Sequence, residues 1–234
     1  MHCVVCGGSL SDRRWSNYRG QSWCGEHAEM PTCKYCGAPT NQGFRGVPRC
    51  KVCGHKAIDR PEQVAPAFMP VRLALEARGM QVHTKVRLIL RSTAKPAPTG
   101  PFSRVGTCGV TSTRTTSCGR VAGNILIVVA PGYPLASFES TMAHEWAHAF
   151  IADREHPPLS SELSEGFAQY IAHTYLTHDR KGIEAEHQAK LIEEHPDPVY
   201  GGGYHKVRRL ARLYGPKTVF TAFETGQLQT LGLH

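Results

Sequence analysis

Seven of the nine cysteines lie in residues 3–53: six form three pairs with two residues between, and Cys24 has His27 at the same spacing. The pattern is Cys-x2-Cys-x17-Cys-x2-His, then Cys-x2-Cys-x13-Cys-x2-Cys. The first set is Cys3, Cys6, Cys24 and His27; the second is Cys33, Cys36, Cys50 and Cys53. Each such turn offers two donors to one edge of a metal ion, and zinc prefers four tetrahedral nitrogen or sulfur ligands. A segment this short buries too little apolar surface to fold unaided, so two structural zinc ions are expected to supply the folding energy. His2 and His55 break the spacing and stay outside both sets.

A disulfide framework would instead require an oxidising compartment. "MHCVVCGG" lacks the apolar core of a signal peptide, and the longest apolar run, "NILIVVA" at 124–130, is too short to span a bilayer. A cytoplasmic chain without a membrane segment is expected. Cys108 and Cys118 are read as free buried thiols, with a disulfide between them as the alternative.

The formal charge of +8 raises the question of nucleic acid. Residues 1–60 hold nine Lys and Arg against four Asp and Glu. Seven thiolates on two zinc ions would bring that segment to about +2. The basic residues are scattered, with no block and no interleaved aromatics, so no nucleic-acid partner is expected.

The cysteine spacing sets residues 1–58 apart as a small module, and "DRPEQVAPAFMP" (59–70) reads as a Pro-rich linker. Residues 71–234 read as one α+β domain. A short helix is expected from Pro70, and 81–91 alternates as a strand with Val82, Thr84, Val86, Leu88 and Leu90 on one face. Residues 102–111 form a weaker strand and "ILIVVA" a buried one; that strand or a neighbour could offer an edge to an extended peptide. Helices are expected from a Ser137 cap to about Asp153, from Ser160 or Ser161 to about Thr177, and near 184–195, 203–214 and 216–225.

The stretch "STMAHEWAHAFIADREHPPLSSELSEGFAQYIAH" (140–173) carries the chemistry. His144 and His148 are four apart on a helix, so both imidazoles can face one metal, with Glu145 beside them as a base. Such a match alone is a modest signal, and the third ligand decides. Position 154 is Arg, where a metzincin has His; His156 sits beside two prolines; Glu162 competes from the helix entrance. Glu165 fits best, because the helix that carries it has a core stripe of Leu163, Phe167, Ile171 and Tyr175 and can pack across the first. The expected catalytic zinc ligands are therefore His144, His148 and Glu165, giving three Zn2+ per chain.

Two resemblances follow from these motifs. The sequential double module is similar to LIM domains, although Cys24 precedes His27 and five residues, "AEMPT", separate the halves. His-Glu-x-x-His followed by Glu165 in an E-G-x-A helix resembles the gluzincin metallopeptidases, which implies a zincin-like fold with a small sheet and active-site helices. Many gluzincins carry an acidic partner four residues after the Glu ligand. Here that position is Gln169, still able to accept from a ligand imidazole. With "PVYGGGYHKVRRLARLYG", the whole resembles the LIM-containing, ubiquitin-activated peptidases that regulate plant organ growth. No acidic helix of the ubiquitin-interacting type is found, so the chain resembles a short form. The resemblance names protein or peptide substrates, with ubiquitin as one candidate partner of the module.

The expected activity is peptide-bond hydrolysis, with Glu145 as the base. Tyr200 is the first choice for a donor to the oxyanion, ahead of Tyr204 and His205, because "YGGGY" gives a pliable backbone. The alternative is an inactive LIM-like adaptor, against which stands the presence of Glu145 and all three ligands.

Overall fold

The computed structural model describes residues 1–10, 14–91, 109–112, 123–154 and 159–233. Cys108, Cys118, His156 and most of the expected strand at 102–111 lie outside the described residues. The chain is a mixed α+β structure of small sheets and seven α-helices among the described residues. In chain order the elements are β1 (Arg14–Ser16), β2 (Ser22–Cys24), β3 (Gly43–Phe44), β4 (Val47–Pro48), α1 (Lys51–His55) and β5 (Ala57–Ile58). Then come α2 (Val64–Glu76), β6 (Val86–Leu90), β7 (Gly109–Ser112), β8 (Ile125–Val129) and β9 (Tyr133–Pro134). Five helices close the chain: α3 (Leu135–Ala152), α4 (Ser161–Thr174), α5 (Ile183–Glu193), α6 (Gly203–Tyr214) and α7 (Pro216–Thr225).

The two Cys-x2-Cys-Gly turns at the start of each set are the same structure twice. Cys3 N–H donates to Gly8 O and Gly7 N–H to Cys3 O, both at 2.9 Å; Cys33 N–H donates to Ala38 O and Gly37 N–H to Cys33 O, both at 2.8 Å. Gly7 and Gly37 each sit at φ +74°, a conformation that a side chain would strain.

The segment expected as a linker is helical. A 3-10 turn at Pro61–Gln63 leads straight into α2, six residues ahead of Pro70. Val64, Phe68, Val71 and Leu75 recur at helical spacing and are all buried, while Pro66 and Pro70 point outward. Burial of that stripe outweighs the one helical hydrogen bond lost at Pro70.

Strand β8 lies at the centre of a three-stranded sheet, parallel to β6 and antiparallel to β7. Ile125, Ile127 and Val129 are buried on one face, so β8 offers no edge; the edges are β6 and β7, and β7 runs alongside α3. Strand β6 starts at Val86, not at residue 81, because the N–H groups of His83 and Thr84 go to Asp153 at 2.7 and 2.9 Å. Trp146 Nε1 donates to Met80 O at 2.9 Å, tying α3 to the end of α2. Helix α3 begins at Leu135, two residues before the expected cap, because β9 pairs with β5 (Ala57↔Pro134, Ile58↔Tyr133) and delivers the chain into the helix. That pairing joins the cysteine module to the helical body.

Candidate metal centre

Helix α3 is buried almost all round, through Phe138, Met142, Ala143, Trp146, Ala149 and Phe150. His144 and His148 are among its partly exposed positions. Helix α4 packs against it and is capped by Ser160 Oγ, which accepts from Leu163 N–H at 3.3 Å. Helix α6 in turn packs on α4 at a backbone crossing. A Cβ on Gly166 would lie 2.4 Å from Gly203 C and O, and one on Gly203 would lie 2.4 Å from Glu162 O. Only glycine fits on either side. This crossing sets the depth of α4, and hence of Glu165.

Three donor atoms converge. His144 Nε2 and His148 Nε2 are 3.0 Å apart, and Glu165 Oε2 lies 3.1 and 3.3 Å from them. A tetrahedral ion with bonds of about 2.0 Å separates its donors by about 3.3 Å, so the triangle fits zinc. Glu165 Oε2 is buried without a hydrogen bond of good geometry, which is the state of a ligand whose partner is a cation. Burial alone would raise the Glu165 carboxyl, but the two imidazoles beside it hold it at about 2. Burial lowers His144, and Glu165 and Glu145 more than offset this, so its value is raised.

Gln169, buried in α4, lies close enough to His144 to help raise its value. Ser164 Oγ lies 3.3 Å from His148 Nδ1. A proton on Nδ1 donated to Ser164 leaves the Nε2 lone pair for a metal. Sequence reasoning missed Ser164, which no motif marks.

The remaining candidates separate. Tyr200 sits on a π-helical turn, Pro198–Gly202, capped by Asp197 Oδ1, which accepts from the N–H groups of Val199 and Tyr200 at 2.8 and 3.0 Å. Its ring stacks with that of His144, centroids 6.3 Å apart. Burial raises the Tyr200 hydroxyl, and the charges of Glu165, Asp197 and Glu145 push the same way. Tyr204 is fully buried against His173, and His205 Nε2 donates to Glu193 O at 2.9 Å; neither is brought to the triangle. Glu162 pairs with Lys206 at 2.6 Å and is no ligand. His195 was not anticipated: its ring lies 5.7 Å from that of Tyr200.

The cysteines form two further groups. Cys3, Cys6, Cys24 and His27 place their donor atoms within 4.8 Å of one another, as do Cys33, Cys36, Cys50 and Cys53. Cys36 Sγ and Cys50 Sγ are 3.7 Å apart, where zinc–sulfur bonds of about 2.3 Å require about 3.8 Å. All seven described cysteines are unbridged. Both groups fit four-coordinate metal. No helix among the described residues is long and apolar enough to cross a membrane.

Fold and donor groups together define a mixed α+β protein with three places fit to hold a metal ion. The sequence profile of the DA1-like family, described as Protein DA1, matches residues 69–191, and the chain belongs to that family. The matched span includes His144, His148 and Glu165 and leaves out both cysteine groups of the first 53 residues and Tyr200. Protein DA1 of Arabidopsis thaliana is 25% identical over 254 residues, covering 81% of this chain and 48% of that protein. The chain thus spans about half the length of that relative. No solved structure matches.

Proposed function

We propose that the chain is a zinc-dependent endopeptidase of the gluzincin type, with a LIM-like module that binds two structural zinc ions. The converging triangle of His144, His148 and Glu165 carries this reading, since three donor atoms brought together around a buried, unpartnered Glu165 Oε2 suit a metal with an open fourth position. A zinc ion bound there supplies a Lewis acid that acidifies water and polarises a peptide carbonyl. The Glu145 carboxylate takes the proton from the attacking water and delivers it to the leaving amine. The Tyr200 hydroxyl donates to the oxygen on which charge develops. Gln169 and Ser164 hold the two imidazoles in orientation. Strand β7, an edge of the sheet among the described residues, offers the substrate a place as an added strand.

The test is metal content and peptide cleavage by the whole chain. Three zinc ions per chain are expected, two in Glu165→Ala, and three with no hydrolysis in Glu145→Gln. A parent chain whose peptide turnover equals that of Glu145→Gln would establish the adaptor reading instead.

A further inference from the structure

The cysteine module touches the helical body at a point that the proposed reaction does not use. Tyr18 and Arg19 lie in the loop between β1 and β2. Their strands belong to the first half of the module, yet Tyr18 packs against the second cysteine group. Arg19 is nearly buried, with 11% of its side chain exposed. A buried guanidinium needs an acceptor on each face it loses to solvent. Arg19 Nη1 donates to Cys53 Sγ at 3.1 Å, and Nε donates to Glu184 Oε1 at 3.2 Å. One turn along α5 from Glu184, the ring of His187 stacks on Tyr18 with centroids 3.8 Å apart and planes 11° off parallel. One arginine therefore joins a metal-ligand sulfur to α5.

Helix α5 leads to the site. It ends at Glu193, and two residues later His195 places its ring 5.7 Å from Tyr200, which stacks with His144.

The geometry points to Arg19 as a clamp that holds α5, and through it the turn bearing Tyr200, only while a metal ion fixes Cys53 in the second cysteine group. An ion draws the four sulfurs into one tetrahedron and sets Cys53 Sγ where Arg19 meets it. Without the ion the two Cys-x2-Cys turns are free to part, Arg19 loses its sulfur acceptor, and the grip on Glu184 loosens. The module then acts as an internal part of the site, conditional on its own metal.

Hydrogen exchange read by mass spectrometry on the whole chain tests this with a two-by-two set: the parent, Arg19→Ala, Cys50→Ser and the double variant. Cys50 is a ligand that Arg19 does not contact. Cys50→Ser should remove one zinc ion and speed exchange within 183–193 about tenfold. Arg19→Ala should speed the same amides by a similar factor with every ion retained. The double variant should add nothing further, while α7 (216–225) keeps parental protection throughout. Unchanged exchange in α5 on loss of the ion, two effects that multiply, or a Cys50→Ser chain that keeps all its zinc would each overturn the clamp. If Arg19→Ala loses protection in α7 as well, Glu184→Gln cuts the same link from the α5 side; it should reproduce the faster exchange in 183–193, and parental exchange there would equally overturn it. Peptide hydrolysis enters no arm, so this outcome is independent of the peptidase reading.

Discussion

Gly166→Ala asks whether the α4–α6 crossing is as tight as described. In a free helix this change stabilises by about 0.5–1 kcal/mol, because alanine loses less backbone entropy. Here the new methyl would stand 2.4 Å from Gly203 C and O and 2.7 Å from Gly203 Cα. Carbon contacts are comfortable at about 3.5–4.0 Å, so the two backbones must part by about 1 Å. No flexible side chain is available to give way. Overpacking of this kind costs about 1–3 kcal/mol, and the backbone setting puts it at the upper end. Net of the helix gain, about 2 kcal/mol of destabilisation is expected, or about 4–8 °C in Tm for a chain of this size. Urea unfolding followed by far-UV circular dichroism measures it. Gly203→Ala should cost a similar amount, and the double variant less than the sum, since the first methyl already parts the helices. A Gly166→Ala protein more stable than the parent by the helix-propensity increment would refute the crossing. Additive costs would refute the shared contact.

Ser164→Ala should weaken zinc at the His144, His148 and Glu165 site about 10–100-fold, read by chelator competition, while leaving the cysteine sites unchanged. Tyr200→Phe should lower kcat about 10²–10³-fold with little change in KM, measured by steady-state peptide cleavage. Asp153 is 3% exposed in its side chain; burial would raise its carboxyl, but hydrogen bonds from Thr84 and His83 and the charge of Arg154 lower it below the usual value. Its contribution is therefore full above about pH 4 and is lost as pH falls through the native value. Asp153→Asn should cost about 1.5–3 kcal/mol at pH 7, with the gap to the parent closing on acidification; a gap constant from pH 7 to pH 3 in urea midpoints would contradict this.

Spacing made the donors legible. Four-residue helical periodicity put His144 beside His148, and paired cysteine turns defined both sulfur groups, because ligand geometry acts over a few residues. Helices α6 and α7 lie where they are expected, near 203–214 and 216–225. What went unread depends on partners far along the chain. Prolines suggested a linker at 59–70, where a stripe aimed at α3 makes a helix. The β5–β9 ladder is too short to leave a pattern. A pliable backbone is all that favours Tyr200 over Tyr204 in the sequence; the structure stacks the first with His144 and buries the second in the core. Ser164 and His195 carry no motif, and only tertiary placement shows them.

The pairing of Ala57–Ile58 with Tyr133–Pro134 also bears on how the chain is made. Ile58 and its partner Tyr133 are 75 residues apart. At synthesis rates of roughly 5–20 residues per second, the finished module waits roughly 4–15 s before its last strand meets a mate. Ala57 and Ile58, both buried in the folded protein, spend that interval as an open edge. The ribosome thus exposes the cysteine module with one unpaired border until β9 has been made.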